Sequence, residues 1–89
     1  MKALVLNYWD TSRKEFRSLV DVIHADGERS PGGAARGSSE LATATWVNAI
    51  LQDLEVRPED VTIVTCGELA RPSFAQVRTA AAFLMAQGG

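Results

Sequence analysis

The spacing of apolar residues along this chain follows two periods, and each predicts a type of secondary structure. Residues 2–9, KALVLNYW, direct apolar side chains to both faces of an extended chain, which is typical of a central strand covered on both sides. Residues 60–66, DVTIVTC, are rich in β-branched residues and predict a second strand. The pattern therefore predicts a sheet that contains at least these two strands.

Two other segments repeat apolar residues every three or four positions, which predicts helices. The first spans residues 39–55, with Ser38 or Ser39 as its cap. The second spans residues 72–87, because Pro72 suits the first position of a helix. These helices supply the apolar faces that pack against the sheet.

Residues 12–25 fit two interpretations, and the sequence leaves both open. Ser12 and Glu15 form the pattern of a capping box, which favours a helix. A strand over residues 15–24 is the alternative, because a sheet of two strands is marginal in water. A hairpin would supply the third strand, and so would dimerisation through a sheet edge.

Residues 26–38 are rich in Gly, Ser, Pro and Arg and predict a flexible loop. Gly32 and Gly37 have the spacing of a phosphate-binding loop, but Ser38 stands where that motif requires lysine. The linker interpretation is therefore favoured, and a weak contact with an anion or RNA stays open.

The predicted fold is a single domain over residues 1–89. It is a two-layer α/β (α+β) sandwich in which a small mixed sheet of two to three strands is packed by helices 39–55 and 72–87. A chain of 89 residues buries only ~60–65% of its unfolded surface, so its stability margin is thin.

Composition excludes several classes of function. The net charge of −2 argues against non-specific nucleic-acid binding, which needs basic patches. One cysteine fits a reducing compartment, and no apolar run approaches the ~20 residues of a membrane helix, so a cytoplasmic location is expected. One histidine and one cysteine with no ligand spacing predict neither a metal site nor a cofactor.

Cys66 is the one candidate for chemistry, because it ends a predicted strand just before Gly67. A reactive thiol needs a nearby cation or helix N-terminus, and Arg71 is close in sequence whereas His24 is distant. A free cysteine is more often a small buried apolar residue, and that interpretation is favoured. Thiol-dependent or acyl-transfer activity at Cys66 is the alternative.

The run VRPEDV at residues 56–61, followed by Pro72, resembles one segment of thiolase-fold ketoacyl synthases. The likeness covers residues 38–89 and implies a local order of helix, turn, strand and helix. It implies no catalytic residue, because the family's reactive cysteine lies beyond this segment and Cys66 does not match it.

The chain is also similar in order to ribonuclease H-type domains, which have a hairpin, a helix that starts with Glu, a strand that ends in Asp and another helix. Asp10, Glu40 and the strand to Cys66 carry this likeness. The strand-end acid is Cys66 here, and a two-metal site requires its carboxylates, so the resemblance does not imply nuclease activity.

The leading functional hypothesis is a small non-enzymatic module that binds a larger protein. It would regulate or inhibit that partner by occluding its surface, as small phage-encoded inhibitors, anti-CRISPR proteins among them, often do. A self-associating subunit, such as a homodimer, is a further alternative. The candidate contact residues are the aromatic anchors Trp46, Trp9 and Tyr8 and the charged residues Arg13, Lys14, Arg17, Arg29 and Arg36.

Overall fold

Over residues 1–88, which the computed structural model describes, the chain forms one mixed sheet and two helices. The elements are β1 (Lys2–Asp10), β2 (Glu15–Ile23), β3 (Arg29–Gly37), α1 (Glu40–Asp53), a 3₁₀ turn (Pro58–Asp60), β4 (Val61–Leu69) and α2 (Phe74–Gly88). The four strands lie in the order β3-β2-β1-β4. β2 is antiparallel to both β1 and β3, whereas β4 runs parallel to β1.

β1 is a central strand, as its sequence predicts, and both of its faces are buried. Leu4 and Leu6 pack in one cluster with Val77 of α2, whereas Val5 packs in another with Val47 of α1. Because successive side chains of a strand point to opposite faces, the two helices lie on opposite sides of the sheet. The molecule therefore has three layers, and the predicted two-layer sandwich is wrong in this respect.

Residues 15–23 form a strand, so the helical interpretation of this segment is wrong and the hairpin interpretation is correct. β2 pairs with β1 along its whole length and with β3 on its other side. Leu19 and Val20 are both buried although they point to opposite faces. The capping-box pattern of Ser12 and Glu15 does not start a helix here. Pairing with β1 and β3 satisfies the backbone hydrogen bonds of β2 and buries both of its faces. The sheet consequently has four strands over residues 1–88, rather than two to three.

Most of the predicted flexible loop forms the edge strand β3. A β-carbon added to Gly32 would lie 3.1 Å from Cδ1 of Leu54, and one added to Gly33 would lie 3.2 Å from Cδ1 of Ile50. The absence of side chains thus lets α1 rest directly on the strand, a use of glycine that composition does not distinguish from a linker. Since this backbone pairs with β2, it does not form a phosphate-binding loop.

Both predicted helices are present, and serine caps begin them. The hydroxyl of Ser39 accepts a hydrogen bond from the backbone N–H of Ala42 at 3.1 Å. Ser73 and Gln76 bond reciprocally at the start of α2, at 2.8 and 3.2 Å. Pro72 therefore lies two residues before α2 rather than at its first position, because a capping box occupies the boundary.

A buried ion pair fixes α2 on the sheet. Asp21 on β2 is 1% exposed, and both of its carboxylate oxygens accept hydrogen bonds from the Arg78 guanidinium, at 2.8 and 2.9 Å. The pKa of Arg78 is raised, chiefly because of its hydrogen bonds to this carboxylate. The pair sets which side of α2 faces β2 and which side faces away from it.

Within residues 1–88, no helix has both the length and the apolar character needed to cross a membrane.

Candidate functional site

β4 is one of the two edge strands of the sheet. In the described part of the chain, β4 has only β1 as a strand neighbour. From Val61 to Gly67 the strand carries no charged side chain and no proline, and Ile63 is 63% exposed. The N–H and C=O groups on this edge are therefore available to pair with another strand.

An open groove of about 760 Å³ lies beside β4, on the face of the sheet that carries α1. α1 packs over β3 and β2 and leaves β4 uncovered on this side. The apolar wall of the groove is formed by Val5 and Ile63 from the strands and by Val47 and Leu51 from α1. An apolar groove next to an open strand edge is suited to receive the side chains of an added strand.

Two aromatic rings line the groove near the carboxyl end of β1. Trp9 and Phe16 pack edge-on, with ring centroids 4.7 Å apart and planes inclined at 62°. Both rings are half-buried, so part of their surface stays accessible. Trp9, an anchor candidate from the sequence, thus lies at the groove.

Two carboxylates, Glu40 and Glu68, line the same groove. Both residues are exposed, and neither forms an ion pair within residues 1–88. Arg17 also lines the groove, but its Nε lies 2.8 Å from a carboxylate oxygen of Glu15. The accessible charge of the groove is therefore negative.

The other contact candidates do not come together. Tyr8 borders the groove but is only 3% exposed and packs in the core beneath α2, so little of its surface can reach a partner; its place on the buried central strand is the reason. Trp46 is 64% exposed on α1 but does not line the groove. The remaining candidates are exposed elsewhere: Arg13 and Lys14 in the turn between β1 and β2, and Arg29 and Arg36 on β3.

Sequence reasoning did not name Ile63, the exposed apolar residue of β4, as a contact candidate. Ile63 was predicted to lie in a strand, but the sequence of a strand does not show whether another strand pairs with it on each side. An uncharged run of β-branched residues is the one available signal, and it becomes informative only when the strand is known to be an edge.

Cys66 is a buried core residue, as favoured from the sequence. It is 9% exposed and packs in the cluster that contains Leu6 and Val77, and burial raises the pKa of its thiol. His24 follows β2 at the opposite end of the sheet, where its Nε2 lies 2.8 Å from Oγ of Ser30. No Cys–His pair is therefore formed.

Asp10 links the turn after β1 to the segment after β4. Its carboxylate accepts hydrogen bonds from the backbone N–H groups of Ser12, Arg13 and Arg71, at 3.0, 3.1 and 3.2 Å, and from the guanidinium of Arg13 at 2.8 Å. Burial alone would raise the pKa of Asp10, but these hydrogen bonds outweigh burial and lower it to about 2. This carboxylate therefore has a structural role.

The acids that resemble those of ribonuclease H-type domains are not assembled. Asp10 alternates with Trp9 along β1 and lies on the α2 face, whereas Glu40 lies at the groove on the α1 face. Residues 1–88 contain no group of three or more His, Cys, Asp or Glu side chains that could hold a metal ion. The structure has three strands before α1, whereas the resemblance implies a hairpin of two.

No family model matches this chain, and no curated protein or solved structure matches it. The resemblances drawn from VRPEDV and from Asp10 and Glu40 therefore stay predictions.

Proposed function

We propose that this protein is a binding module that captures an extended segment of another polypeptide at the outer edge of β4. The observation that carries the proposal is the open, uncharged edge from Val61 to Gly67. Strand addition to such an edge is a common mode of peptide recognition, in which main-chain hydrogen bonds provide affinity. Five consecutive residues, VTIVT, are β-branched or apolar and favour the extended conformation that this mode requires.

The groove beside β4 would provide specificity. Alternate side chains of an added strand point to the same face, so every second residue would project toward the groove beside Ile63. The apolar walls would receive apolar side chains, and Glu40 and Glu68 would favour a basic residue near the carboxyl end of β4. The expected ligand is therefore an extended segment with alternating apolar residues and a cation at one end.

This proposal narrows the sequence hypothesis of an inhibitor that acts by occlusion. Trp9 stays a contact candidate because it lines the groove, and Ile63 joins it as an exposed apolar contact. Regulation or inhibition of a larger protein, including the phage-type inhibitor hypothesis, would follow if the captured segment belonged to that protein. The thiol alternative has less support, because Cys66 is buried and its pKa is raised.

A selection from a displayed library of random peptides tests the proposal. The peptides recovered on the protein are expected to alternate β-branched or apolar residues, and their binding is measured by fluorescence anisotropy. Ile63→Lys adds a charge at the edge and is expected to weaken binding at least about tenfold. Ala34→Lys is the matched control, since Ala34 is exposed on the other edge strand, β3.

Equal binding of the selected peptides to both lysine variants would exclude the β4 edge as their site. Circular dichroism of Ile63→Lys would check that the variant is folded, which is expected because the side chain it replaces is largely exposed.

A further inference from the structure

We infer that the strand captured at the β4 edge is β4 of a second copy of this chain, paired antiparallel about a twofold axis at Ile63. The inference rests on the proposed function and names its partner. Its product would be a symmetric dimer with one continuous sheet, in which the two β4 strands lie at the centre.

The register of β4 supports this axis. β4 pairs regularly with β1 from Val61 to Thr65, and the register then shifts near Gly67, whose φ is +74°. Ile63 is the centre of this regular run, so a twofold axis there pairs the run with itself. Ile63 would face its own copy, and Val61 would face Thr65.

Charge disfavours one of the neighbouring registers. With the axis at Ile63, none of the residues from 57 to 69 lies opposite a residue of like charge, because Asp60 faces Cys66 and Glu68 faces Pro58. An axis one residue later, at Val64, would put Asp60 opposite Glu68 twice, and directly opposed like charges destabilise a strand pair. The charge pattern therefore penalises this neighbouring register.

The ends of the paired region are complementary in charge. The exposed Arg57 precedes Pro58, so the axis at Ile63 brings it beside Glu68 of the second copy. Glu68 has no ion pair within residues 1–88, whereas Arg57 lies 3.1 Å from Asp60 and is 72% exposed. The twofold axis would form this contact twice.

The position of α2 is compatible with close packing across the axis. α2 lies over β4 and β1, and strands are spaced at about 4.8 Å, so the two α2 helices would be roughly 10 Å apart. Packed helices are typically separated by about 8–10 Å. The dimer would therefore juxtapose the helices without displacing either one from its own sheet.

The side of α2 that would meet its copy is already apolar and partly open. Arg78 points toward β2, and the buried Val77 and Ala81 face the sheet. Ala80 lies roughly 200° around the helix from Arg78, on the side of the free edge, and Phe83 lies roughly 140° around, between that side and solvent. Phe83 is 63% exposed and lines a shallow depression with the small residues Ala75, Thr79 and Ala80 and with Gln76. Such a surface suits helix packing.

The opposite edge explains why assembly would stop at two copies. Twofold pairing uses each β4 edge once and leaves only the β3 edges exposed. β3 contains Pro31 and two arginines, Arg29 and Arg36, features that resist strand pairing. A closed dimer is therefore expected, rather than a fibre.

Sedimentation velocity up to millimolar concentration tests the inference. The wild-type protein and Ala34→Lys are expected to be dimers, whereas Ile63→Lys should raise the dimer dissociation constant more than about a hundredfold. Arg57→Glu should weaken the dimer, and the charge swap Arg57→Glu with Glu68→Arg should restore it. A monomeric wild type, or an unchanged dimer of Ile63→Lys, would overturn the inference.

Cysteine cross-linking tests the axis without relying on a disruptive variant. In a Cys66→Ala background, Ile63→Cys is expected to form an intermolecular disulfide on mild oxidation, because residues at the axis have adjacent β-carbons. Thr65→Cys is the control and should cross-link poorly, since Thr65 faces Val61. Efficient cross-linking of Thr65→Cys alone would contradict the proposed axis.

The outcomes separate this inference from the proposed function. A wild type that stays monomeric but binds selected peptides at β4 would refute the second copy and retain strand capture. A dimer and peptide binding that are both insensitive to Ile63→Lys would refute both.

Discussion

The two edge strands of the sheet have the same length and opposite chemistry. β3 and β4 each contain nine residues. β3 has three glycines, Pro31 and an irregular register with β2, whereas β4 carries no charge or proline from Val61 to Gly67. Natural sheets protect their edges with charges, prolines and irregularities. The contrast indicates that one edge is closed to other chains and the other is suited to them.

The two edges also differ in how the helices cover them. α1 lies directly on β3, where Gly32 and Gly33 allow close approach, while β4 is covered by α2 on one face only. β3 is therefore stabilised by apolar contacts with α1, whereas the helix that stabilises β4 is α2. Substitutions on the two sides should consequently have different effects.

The largest effect is expected where α2 is attached to the sheet. Arg78→Ala leaves the buried carboxylate of Asp21 without its partner and should lower the free energy of unfolding by about 3 kcal/mol. Urea denaturation measures the loss, and hydrogen exchange should show that β4 loses protection before β3. Arg29→Ala is the control and should cost less than about 1 kcal/mol, because Arg29 is exposed on β3 and forms no ion pair within residues 1–88. Equal losses in the two variants would contradict the role given to the buried pair.

A smaller loss of stability is expected when one glycine in each edge strand is replaced by alanine. Gly33→Ala should cost about 2 kcal/mol, because the backbone has a φ of +153° and the new β-carbon would lie 3.2 Å from two carbons of Ile50. Gly67→Ala meets no atom within 4 Å and should cost about 1 kcal/mol from its φ of +74° alone.

Thermal unfolding compares the two glycine variants, and Ile50→Val should reduce the cost of Gly33→Ala but not that of Gly67→Ala. If Gly67→Ala were the more damaging change, the close packing of α1 on β3 would not be the cause.

The smallest effect near neutral pH is expected from protonation of Asp10, because this carboxylate is protonated only in acid. Its pKa is about 2 in the folded protein, below the ordinary value of 3.8, so its contribution to stability is complete above about pH 5. The contribution should be lost as the pH falls from about 4 through 2, when protonation weakens the hydrogen bonds from Arg13 and Arg71.

NMR titration should show the amide signals of Arg13 and Arg71 shifting together over this range while those of β3 stay unchanged. Asp10→Asn should remove the acid transition. A midpoint at the ordinary pKa of a carboxyl group would contradict the assignment.

The sequence predicted correctly the elements that depend on neighbouring residues, and it failed for those that depend on contacts between distant residues. Residues 2–9 and 60–66 were predicted correctly as strands, and both helices were found, because their apolar periods and caps are local. The prediction of a flexible loop at residues 26–38 was wrong, because β3 is stabilised by pairing with β2 and by packing of α1 rather than by its own side chains. The candidate site was missed for a similar reason: Trp9 was named, but Ile63 becomes a contact candidate only where no strand covers it.

The sequence by itself determined the type of β1, α1, β4 and α2, and it favoured a buried Cys66 while leaving a reactive one open. The tertiary structure decided the third and fourth strands, the helix on each face, the pairing of Asp21 with Arg78 and the identity of the open edge. The physical reason is that an edge is a property of sheet order, which depends on contacts between distant residues. VTIVTC would be the same strand in the middle of a sheet, and only its place at the end of the strand order leaves it with an open edge.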